Sequence, residues 1–282
     1  MVKTVHVAPA RPHVPGRWRL IYFDAPTRGE QVRLLFALAG VEFDDVRLSP
    51  YPQGLDPYKK AALGDASPLC GTDQCPAVTA PDGSHCVETS DIMRFIGQRC
   101  GLAPKTDAAD ALAMKRCLLA QQILNRSFYS LLRPLIVSFI GRNHCILLRP
   151  FIGLLGGGAA ATKAPIAFLR SQLPELEEEL AQAGGPYFAG DSLTYDSVAL
   201  FAALRETLEL ACFDRAAELA PYPKLTNFMD MLESMASGWF EKRTREYQGG
   251  YASTVEYLAV TNTPIPWKRV TIQKPEDSEG KA

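Results

Sequence analysis

The stretch from Arg17 to Gly40, RWRLIYFDAPTRGEQVRLLFALAG, most constrains the fold of this 282-residue chain. It opens with a short apolar run at Leu20–Phe23, which predicts a buried strand, and then turns at residues 24–26. A helix is expected next, because apolar side chains recur at helical spacing and Gly40 supplies a stop. A strand that runs into a helix leaves a crevice at the carboxyl end of the strand, with free N–H donors nearby.

Polar residues cluster around the turn between this strand and this helix. Thr27 and Glu30 have the spacing of a capping box, which would satisfy backbone N–H groups at the start of the helix. Tyr22 brings a hydroxyl to the end of the strand. Arg28 lies in the first turn of the helix, where a cation is slightly unfavourable for the helix dipole, and this favours a functional role for it.

The next segments predict a small mixed sheet. Residues 41–48 predict a second strand with a slip at Asp44-Asp45. Residues 77–87 predict a hairpin, and a helix is expected from Glu88 to about Arg99. The order β-α-β, a linking segment and β-β-α is the thioredoxin-like layout. Pro76 begins the third strand, where thioredoxin-like domains have a cis proline.

From residue 106 onward the pattern is helical. Long helices are expected over residues 106–133 and 163–183, and a buried helix is expected after an N-cap at Thr194. A further helix is expected to begin at residues 221–225. The glycines at 156–158 do not form a phosphate-binding loop, because neither their spacing nor a Lys-Ser/Thr pair matches that motif.

Composition excludes several classes of protein. A formal net charge of -1 indicates no nucleic-acid or anionic-membrane surface. Seven scattered cysteines argue against a secreted disulfide framework. No window reaches the run of about 18 apolar residues that a membrane span needs, so no membrane span is expected. The four histidines show no ligand spacing, so no metal is expected.

The residues Tyr22-Phe23, Arg28, Glu30 and Arg33 resemble the start of a cytosolic glutathione transferase of the tyrosine type, most closely of the sigma class. Four later segments also resemble the family, and they follow one another in the order that the family has. These segments are Gln74-Cys75-Pro76-Ala77-Val78, Glu88-Thr89-Ser90-Asp91-Ile92, Gly190-Asp191-Ser192-Leu193-Thr194 and Tyr222-Pro223-Lys224-Leu225. The resemblance covers about residues 17 to 245. It implies the glutathione transferase fold, an α/β N-terminal thioredoxin-like domain followed by an all-α C-terminal domain.

The resemblance also implies a domain organisation and a setting. We expect a flexible N-terminal tail at residues 1–16 and a glutathione-binding thioredoxin-like domain at 17–103. An all-helical C-terminal domain is expected at 106–248 and a C-terminal extension at 249–282. Relatives of this kind are cytoplasmic homodimers, and we expect the same here.

Tyr22 and Arg28 are the catalytic candidates that the resemblance implies, with glutathione as co-substrate. A free thiol with a pKa of about 8.5 is only a few per cent ionised at neutral pH, and a tyrosine hydroxyl aimed at the sulfur would stabilise the thiolate. Arg28 would supply a positive field. The plainer alternatives are a core tyrosine and a solvated arginine.

The implied glutathione-binding residues are Tyr22, Gln74, Cys75, Pro76, Glu88 and Thr89. Glu88 and Thr89 open a helix whose N–H groups suit the γ-glutamyl carboxylate, although an ordinary N-cap explains them as well. Cys75 would pair its backbone with the cysteinyl part of the peptide. A basic residue usually meets the glycyl carboxylate, and Lys59 and Lys60 are both candidates.

Some positions depart from the family pattern. Thr89 stands where the family usually has Ser. Gln121 and Gln122 stand where some classes lend an acidic residue to the partner subunit's glutathione. Residues 137–164 are longer and more apolar than usual, so the preferred acceptor cannot be carried over from relatives. The extension at 249–282 has no counterpart.

These observations predict a glutathione transferase that conjugates the thiolate to electrophilic, largely apolar small molecules. One alternative is a glutathione-dependent isomerase or peroxidase of the same fold. Another is a non-catalytic ligand-binding or structural relative. A third alternative is a membrane-associated subunit that uses residues 137–164 as an interface.

Overall fold

A computed structural model describes residues 9–23, 25–48, 53–130, 159–209 and 214–247, with a sheet in the first part and helices in the rest. The strands are β1 (Trp18–Phe23), β2 (Phe43–Leu48), β3 (Ala77–Thr79) and β4 (His85–Val87). The helices of the sheet region are α1 (Arg28–Leu38), α2 (Lys60–Leu63) and α3 (Thr89–Arg99). The later helices are α4 (Asp107–Ile123), α5 (Ala159–Ala183), α6 (Tyr195–Leu208), α7 (Arg215–Leu219), α8 (Pro223–Met235) and α9 (Ser237–Tyr247). A π-helical turn at Leu124–Phe128 follows α4. The described residues thus confirm the predicted fold class.

The four strands that the structure describes form one mixed sheet in the order β2-β1-β3-β4. β1 runs parallel to β2 and antiparallel to β3, and β3 and β4 form the predicted hairpin. The slip predicted at Asp44-Asp45 is wrong, because the β1–β2 register runs without interruption from Trp18↔Phe43 to Phe23↔Leu48. The alternation of residue types breaks there because Asp44 and Asp45 hold buried arginines, Arg19 and Arg33.

Apolar layers cover both faces of the sheet. One layer joins the sheet to α1, α3 and the helical region, and it includes Leu20, Leu35 and Ile96. The other lies beneath residues 53–69 and includes Ile21, Val46 and Tyr58. Alternate residues of β1 therefore enter different layers, as the twofold side-chain period of a strand requires.

Helix α6 lies at the centre of the helical region. Arg205 is the one residue of α6 that is not buried. α6 packs against α4, α1 and α3, so it joins the helical region to the sheet region. At its start, Asp196 accepts a hydrogen bond from Arg116 of α4 at 3.1 Å, and both side chains are largely buried.

Residues 9–16, the described part of the predicted tail, are hydrogen-bonded to the domain. The backbone N–H of Arg11 donates to the Tyr58 hydroxyl at 3.1 Å, and the guanidinium of Arg19 donates to the Arg11 carbonyl at 2.9 Å. The apolar stretch at 137–164 falls mainly, and the extension at 249–282 wholly, outside the described residues. None of the described helices is both long enough and apolar enough to cross a bilayer.

Candidate functional site

A cleft opens where the start of α1, the start of β3 and the start of α3 meet. Its walls come from three separate parts of the sheet region, and the lining residues are Arg28, Gln74, Cys75, Pro76, Val87, Glu88 and Thr89. The fold brings these parts together because β3 lies beside β1 and α3 follows β4 directly. The cleft therefore lies at the end of β1 from which α1 departs.

The Tyr22 hydroxyl lies behind the residues that line the cleft, and it is hydrogen-bonded to another side chain of the protein. Tyr22 is 6% exposed, and its hydroxyl is 2.7 Å from the Thr27 Oγ1 atom. Burial raises the pKa of Tyr22 well above its ordinary value, and the nearby Tyr129 and Cys75 raise this pKa further, whereas the hydrogen bond from Thr27 lowers it. The phenol therefore stays protonated at neutral pH and remains a hydrogen-bond donor.

Thr27 has an unusual backbone conformation. It precedes α1 with φ 56° and ψ -134°, and its side chain makes no capping hydrogen bond. This region of the Ramachandran map suits glycine, and β-branched residues are outliers in it. Such a conformation costs about 1–3 kcal/mol and persists only when the surrounding structure enforces it.

The predicted capping box at Thr27 and Glu30 is therefore wrong. The Thr27 hydroxyl is oriented to Tyr22 and not to the helix backbone. Glu30 accepts a hydrogen bond at 2.8 Å from the indole of Trp239, a residue of α9. Both side chains of the pattern bind residues of other elements, Tyr22 of β1 and Trp239 of α9, so the spacing identified the helix start but not the hydrogen bonds of these side chains.

Arg33 anchors the turn that carries Thr27. Its guanidinium is fully buried and donates to the Ala25 carbonyl at 2.8 Å. It also pairs with Asp45 of β2 at 3.0 Å. Burial alone would raise the pKa of Asp45, but the charges of Arg33 and Arg47 outweigh burial and lower it. The ion pair therefore ties the turn to the neighbouring strand.

Arg28 connects the cleft with the helical region. It donates to the Asn125 Oδ1 atom at 2.8 Å, and its guanidinium lies 5.7 Å from the centre of the Tyr129 ring. Its Nε atom is buried without a hydrogen-bond partner among the described residues. An arginine that lines a cleft with an N–H group to spare is suited to an anion.

Helix α3 presents its start to the cleft. Glu88 precedes the helix with φ 66° and ψ 120°, and no side-chain hydrogen bond caps the helix. Thr89 is buried in the first turn. Uncapped N–H groups and the helix dipole together favour a carboxylate at this point.

Cys75 and Pro76 form the edge of the cleft at the start of β3. The Cys75–Pro76 peptide bond is cis, as the thioredoxin-like layout predicts. Burial raises the pKa of the Cys75 thiol to about 12, although a backbone hydrogen bond and the charges of Arg28 and Arg33 oppose the rise. The thiol is therefore protonated at neutral pH, which argues against a nucleophilic cysteine here.

Sequence comparisons point in the same direction as this geometry. Residues 162–237 match the family described as the C-terminal domain of glutathione S-transferase. Glutathione S-transferase 1 of Ascaris suum is 28% identical over 181 residues, which cover 64% of this chain and 74% of the relative. S-crystallin 2 of Enteroctopus dofleini is 23% identical over 210 residues, which cover 74% of this chain and 87% of the relative.

The three-dimensional fold agrees as well. A glutathione S-transferase from Ascaris lumbricoides superposes with a TM-score of 0.59 at 22% identity, covering 80% of this chain and 97% of that protein. The chain therefore has the glutathione transferase fold and is similar in sequence to proteins of that family.

This fold brings most of the predicted glutathione-binding residues together at the cleft. Gln74, Cys75, Pro76, Glu88 and Thr89 all line the cleft, together with Arg28. Tyr22 does not line it but lies behind it. Lys59 and Lys60 do not line it either, and they pair with Asp56 and Asp65. The catalytic and binding roles of these residues stay predictions.

Sequence patterns do not identify the roles of four residues of this region. Thr27 has the spacing of a cap but bonds Tyr22, and Tyr129 and Asn125 reach the site from the helical region, about a hundred residues away along the chain. Gly29 packs so closely on Tyr22 that a Cβ atom there would lie 2.2 Å from the Tyr22 ring. The only available signal was Gly29 itself, because glycine in the first turn of a helix is costly.

The departure at Gln121 has a structural counterpart. The Gln121 side chain of α4 donates to the Gln31 side chain of α1 at 2.7 Å. This bond links the two regions of a single chain, beside the site.

Proposed function

We propose that this chain is a tyrosine-type, sigma-like glutathione transferase in which Tyr22 activates the thiol of glutathione. One observation carries the proposal. Three segments far apart in the sequence converge on one cleft, and they contribute Arg28, residues 74–76 and residues 88–89. Each segment supplies a group that could bind one part of glutathione, which is an anionic tripeptide.

The γ-glutamyl carboxylate would lie at the uncapped start of α3, near Thr89. The cysteinyl backbone would run along residues 74–76, where a strand begins and a peptide can pair with it. This placement directs the thiol toward the end of β1. Arg28 would add positive charge there, through the N–H group that the described structure leaves without a partner.

Tyr22 is suited to donate a hydrogen bond to a thiolate. Its raised pKa keeps the phenol protonated at neutral pH, so a proton is always available for donation. A drop of about two units in the pKa of the bound thiol corresponds to about 2.7 kcal/mol of preferential stabilisation of the thiolate. The attack on an electrophile then needs no separate general base.

The acceptor in this proposal is an apolar electrophile that binds under the helical region. The same thiolate is also suited to isomerisation and to hydroperoxide reduction. These two activities should therefore be assayed together with conjugation. We further propose a cytoplasmic homodimer, as is usual for the superfamily.

The decisive experiment measures the ultraviolet absorbance of bound glutathione thiolate against pH in the wild type and in Tyr22→Phe. The wild type is expected to give a thiol pKa about two units below the free value, and Tyr22→Phe is expected to restore the free value. At pH 6.5 the variant should lose about 50-fold of its thiolate.

Tyr58→Phe is the matched control. Tyr58 is equally buried but lies in the apolar layer on the opposite face of the sheet, where its hydroxyl accepts from the Arg11 backbone. It should leave the thiol pKa unchanged. If glutathione binds and Tyr22→Phe has no effect on the pKa, Tyr22 is not the activating group.

A non-catalytic relative is the second candidate function, and the position of Tyr22 favours it. The hydroxyl is bonded to Thr27 and does not line the cleft. A protein of this kind would bind glutathione or a related anion with the thiol pKa unchanged. The same titration therefore separates the two functions.

A further inference from the structure

The hydrogen bond between Thr27 and Tyr22 is not explained by the folding of the turn. Thr27 does not cap α1, and its β-branched side chain occupies a backbone conformation that favours glycine. Glycine at this position would relieve the strain. The side chain that causes the strain is hydrogen-bonded to the Tyr22 hydroxyl at 2.7 Å, and the Tyr129 hydroxyl lies within hydrogen-bonding reach of both.

Strained residues that persist at the edge of a cleft point to a function for the strained group. The surroundings of Thr27 hold the strain in place. Arg33 donates to the Ala25 carbonyl at 2.8 Å, and the Glu30 backbone N–H donates to the Thr27 carbonyl at 3.0 Å. The Oγ1 atom is thereby set at a defined position beside the phenol.

The direction of this hydrogen bond depends on what else the phenol binds. Either hydroxyl can be the donor, and the hydroxyl hydrogen of threonine rotates freely. Tyr22 has a single proton. When a thiolate is present, that proton goes to the anion, because charge-assisted hydrogen bonds are about twice as strong as neutral ones. Thr27, whose Oγ1 atom is 2.7 Å away, is then placed to donate to the Tyr22 oxygen.

We propose that Thr27 is a positioning residue for Tyr22, donating to the phenol oxygen while the phenol donates to the bound thiolate. This inference rests on the proposed function and adds to it a second hydroxyl in series with the first. A donor at the phenol oxygen polarises the phenol O–H bond and strengthens its donation, because hydrogen bonds in a chain reinforce one another. The same hydrogen bond fixes the position of the phenol oxygen, and the packing of the Tyr22 ring against Gly29 fixes the ring.

Thr27→Val tests the proposal with little change in shape. Valine keeps the β-branched side chain, and hence the strain, and removes only the hydroxyl. The pKa of bound glutathione should rise by about 0.2–0.6 of a unit, since cooperative strengthening amounts to about 10–30% of a two-unit effect. The thiolate fraction well below that pKa should fall by about two- to fourfold. Thr27→Ser keeps the hydroxyl and should restore the wild-type titration.

Thr79→Val is the matched control, because Thr79 is also a buried threonine whose hydroxyl bonds a side chain, that of His85 at 2.9 Å. It should leave the thiol pKa unchanged. A second readout needs no glutathione. In protein carrying ¹³C-labelled tyrosine, with the Tyr22 signal assigned from Tyr22→Phe, Thr27→Val should shift the Cζ resonance and Thr27→Ser should not.

The outcomes separate this inference from the proposed function. If Tyr22→Phe raises the thiol pKa but Thr27→Val leaves it unchanged or lowers it, the role of Thr27 is overturned and the transferase proposal stands. If the wild type does not lower the thiol pKa at all, both proposals are overturned. An equal rise in Thr27→Val and Thr27→Ser would show that packing, and not the hydroxyl, matters at this position.

Discussion

The two helices that face the cleft begin after residues with positive φ angles, whereas α2, α4, α6, α7 and α8 begin after residues with negative φ angles. α1 and α3 begin after Thr27 and Glu88, which both have positive φ angles and make no side-chain cap. α4 and α7 begin after Thr106 and Asp214, which have extended backbones and accept hydrogen bonds from N–H groups of the first turn. The regular caps follow the usual rules for helix starts, and the two starts at the cleft do not.

The helix starts at the cleft depart from the usual capping preferences. A capped helix start satisfies its own N–H groups and gains about 1 kcal/mol. An uncapped start at a cleft leaves those groups available to a ligand, at a cost in stability. Departure from local rules is expected at functional sites, so the contrast itself supports the assignment of the cleft.

The start of α6 is buried in the helical region, and a substitution there should give the largest change in the free energy of unfolding. Asp196 in the first turn of α6 is fully buried against Arg116. Asp196→Ala should lower the free energy of unfolding by about 3–5 kcal/mol, because it removes one partner of a buried ion pair. Asp214→Ala, which removes an exposed cap, should cost only about 1 kcal/mol. Denaturant titration measures both, and equal losses would show that burial does not distinguish these starts.

Glycine substitution should have opposite signs at the start of α3 and the start of α4. Glu88→Gly should stabilise the protein by about 1 kcal/mol, since relief of about 1–3 kcal/mol of strain exceeds the about 0.5–1 kcal/mol of backbone entropy that glycine loses. Thr106→Gly removes a working cap and should destabilise by a few tenths of a kcal/mol. Thermal unfolding distinguishes the two. A loss of stability in Glu88→Gly would contradict strain at the cleft.

The ion pair that supports the start of α1 should give the smallest effect, visible only in acid. The charges of Arg33 and Arg47 hold the pKa of Asp45 below its ordinary value despite burial. A carboxyl with a lowered folded-state pKa contributes stability above its unfolded pKa of about 3.9, and this contribution is lost as the pH falls through the folded value.

Asp45→Asn should therefore flatten the dependence of stability on pH below about pH 4. Glu42→Gln is the control, because Glu42 lies close by and its side chain is 92% exposed in its pair with Arg17. Urea unfolding between pH 2 and pH 6 measures both variants. An acid slope that is unchanged in Asp45→Asn would mean that this pair does not stabilise the turn before α1.

Patterns along the chain were sufficient for the elements and their order. The apolar run of β1, the hairpin around residues 81–83 and the buried helix after Thr194 all lie where periodicity and turn residues predicted them. These elements bury one continuous face, and burial leaves a periodic signal in the sequence. The resemblance to the superfamily added the set of residues that the fold brings to the cleft.

The two wrong predictions share a physical cause. The residues at Thr27 and Glu30 have capping-box spacing, and Asp44-Asp45 interrupts an alternating pattern. In both places the side chains bind partners from other elements, namely Tyr22, Trp239 and the buried arginines. A local pattern records which residue types are present but not the partners that tertiary folding supplies.

The sequence alone therefore determined the elements and their order, because periodic burial and turn chemistry are local properties. The resemblance to a known family supplied the candidate residues of the cleft. The tertiary structure decided how those residues act on one another. It set the Tyr22 hydroxyl against Thr27, brought Arg28 to Asn125 and Tyr129, and left α3 open at the cleft. Hydrogen bonds and charge pairs of this kind depend on distances of a few ångströms between segments far apart in the chain, and only packing determines those distances.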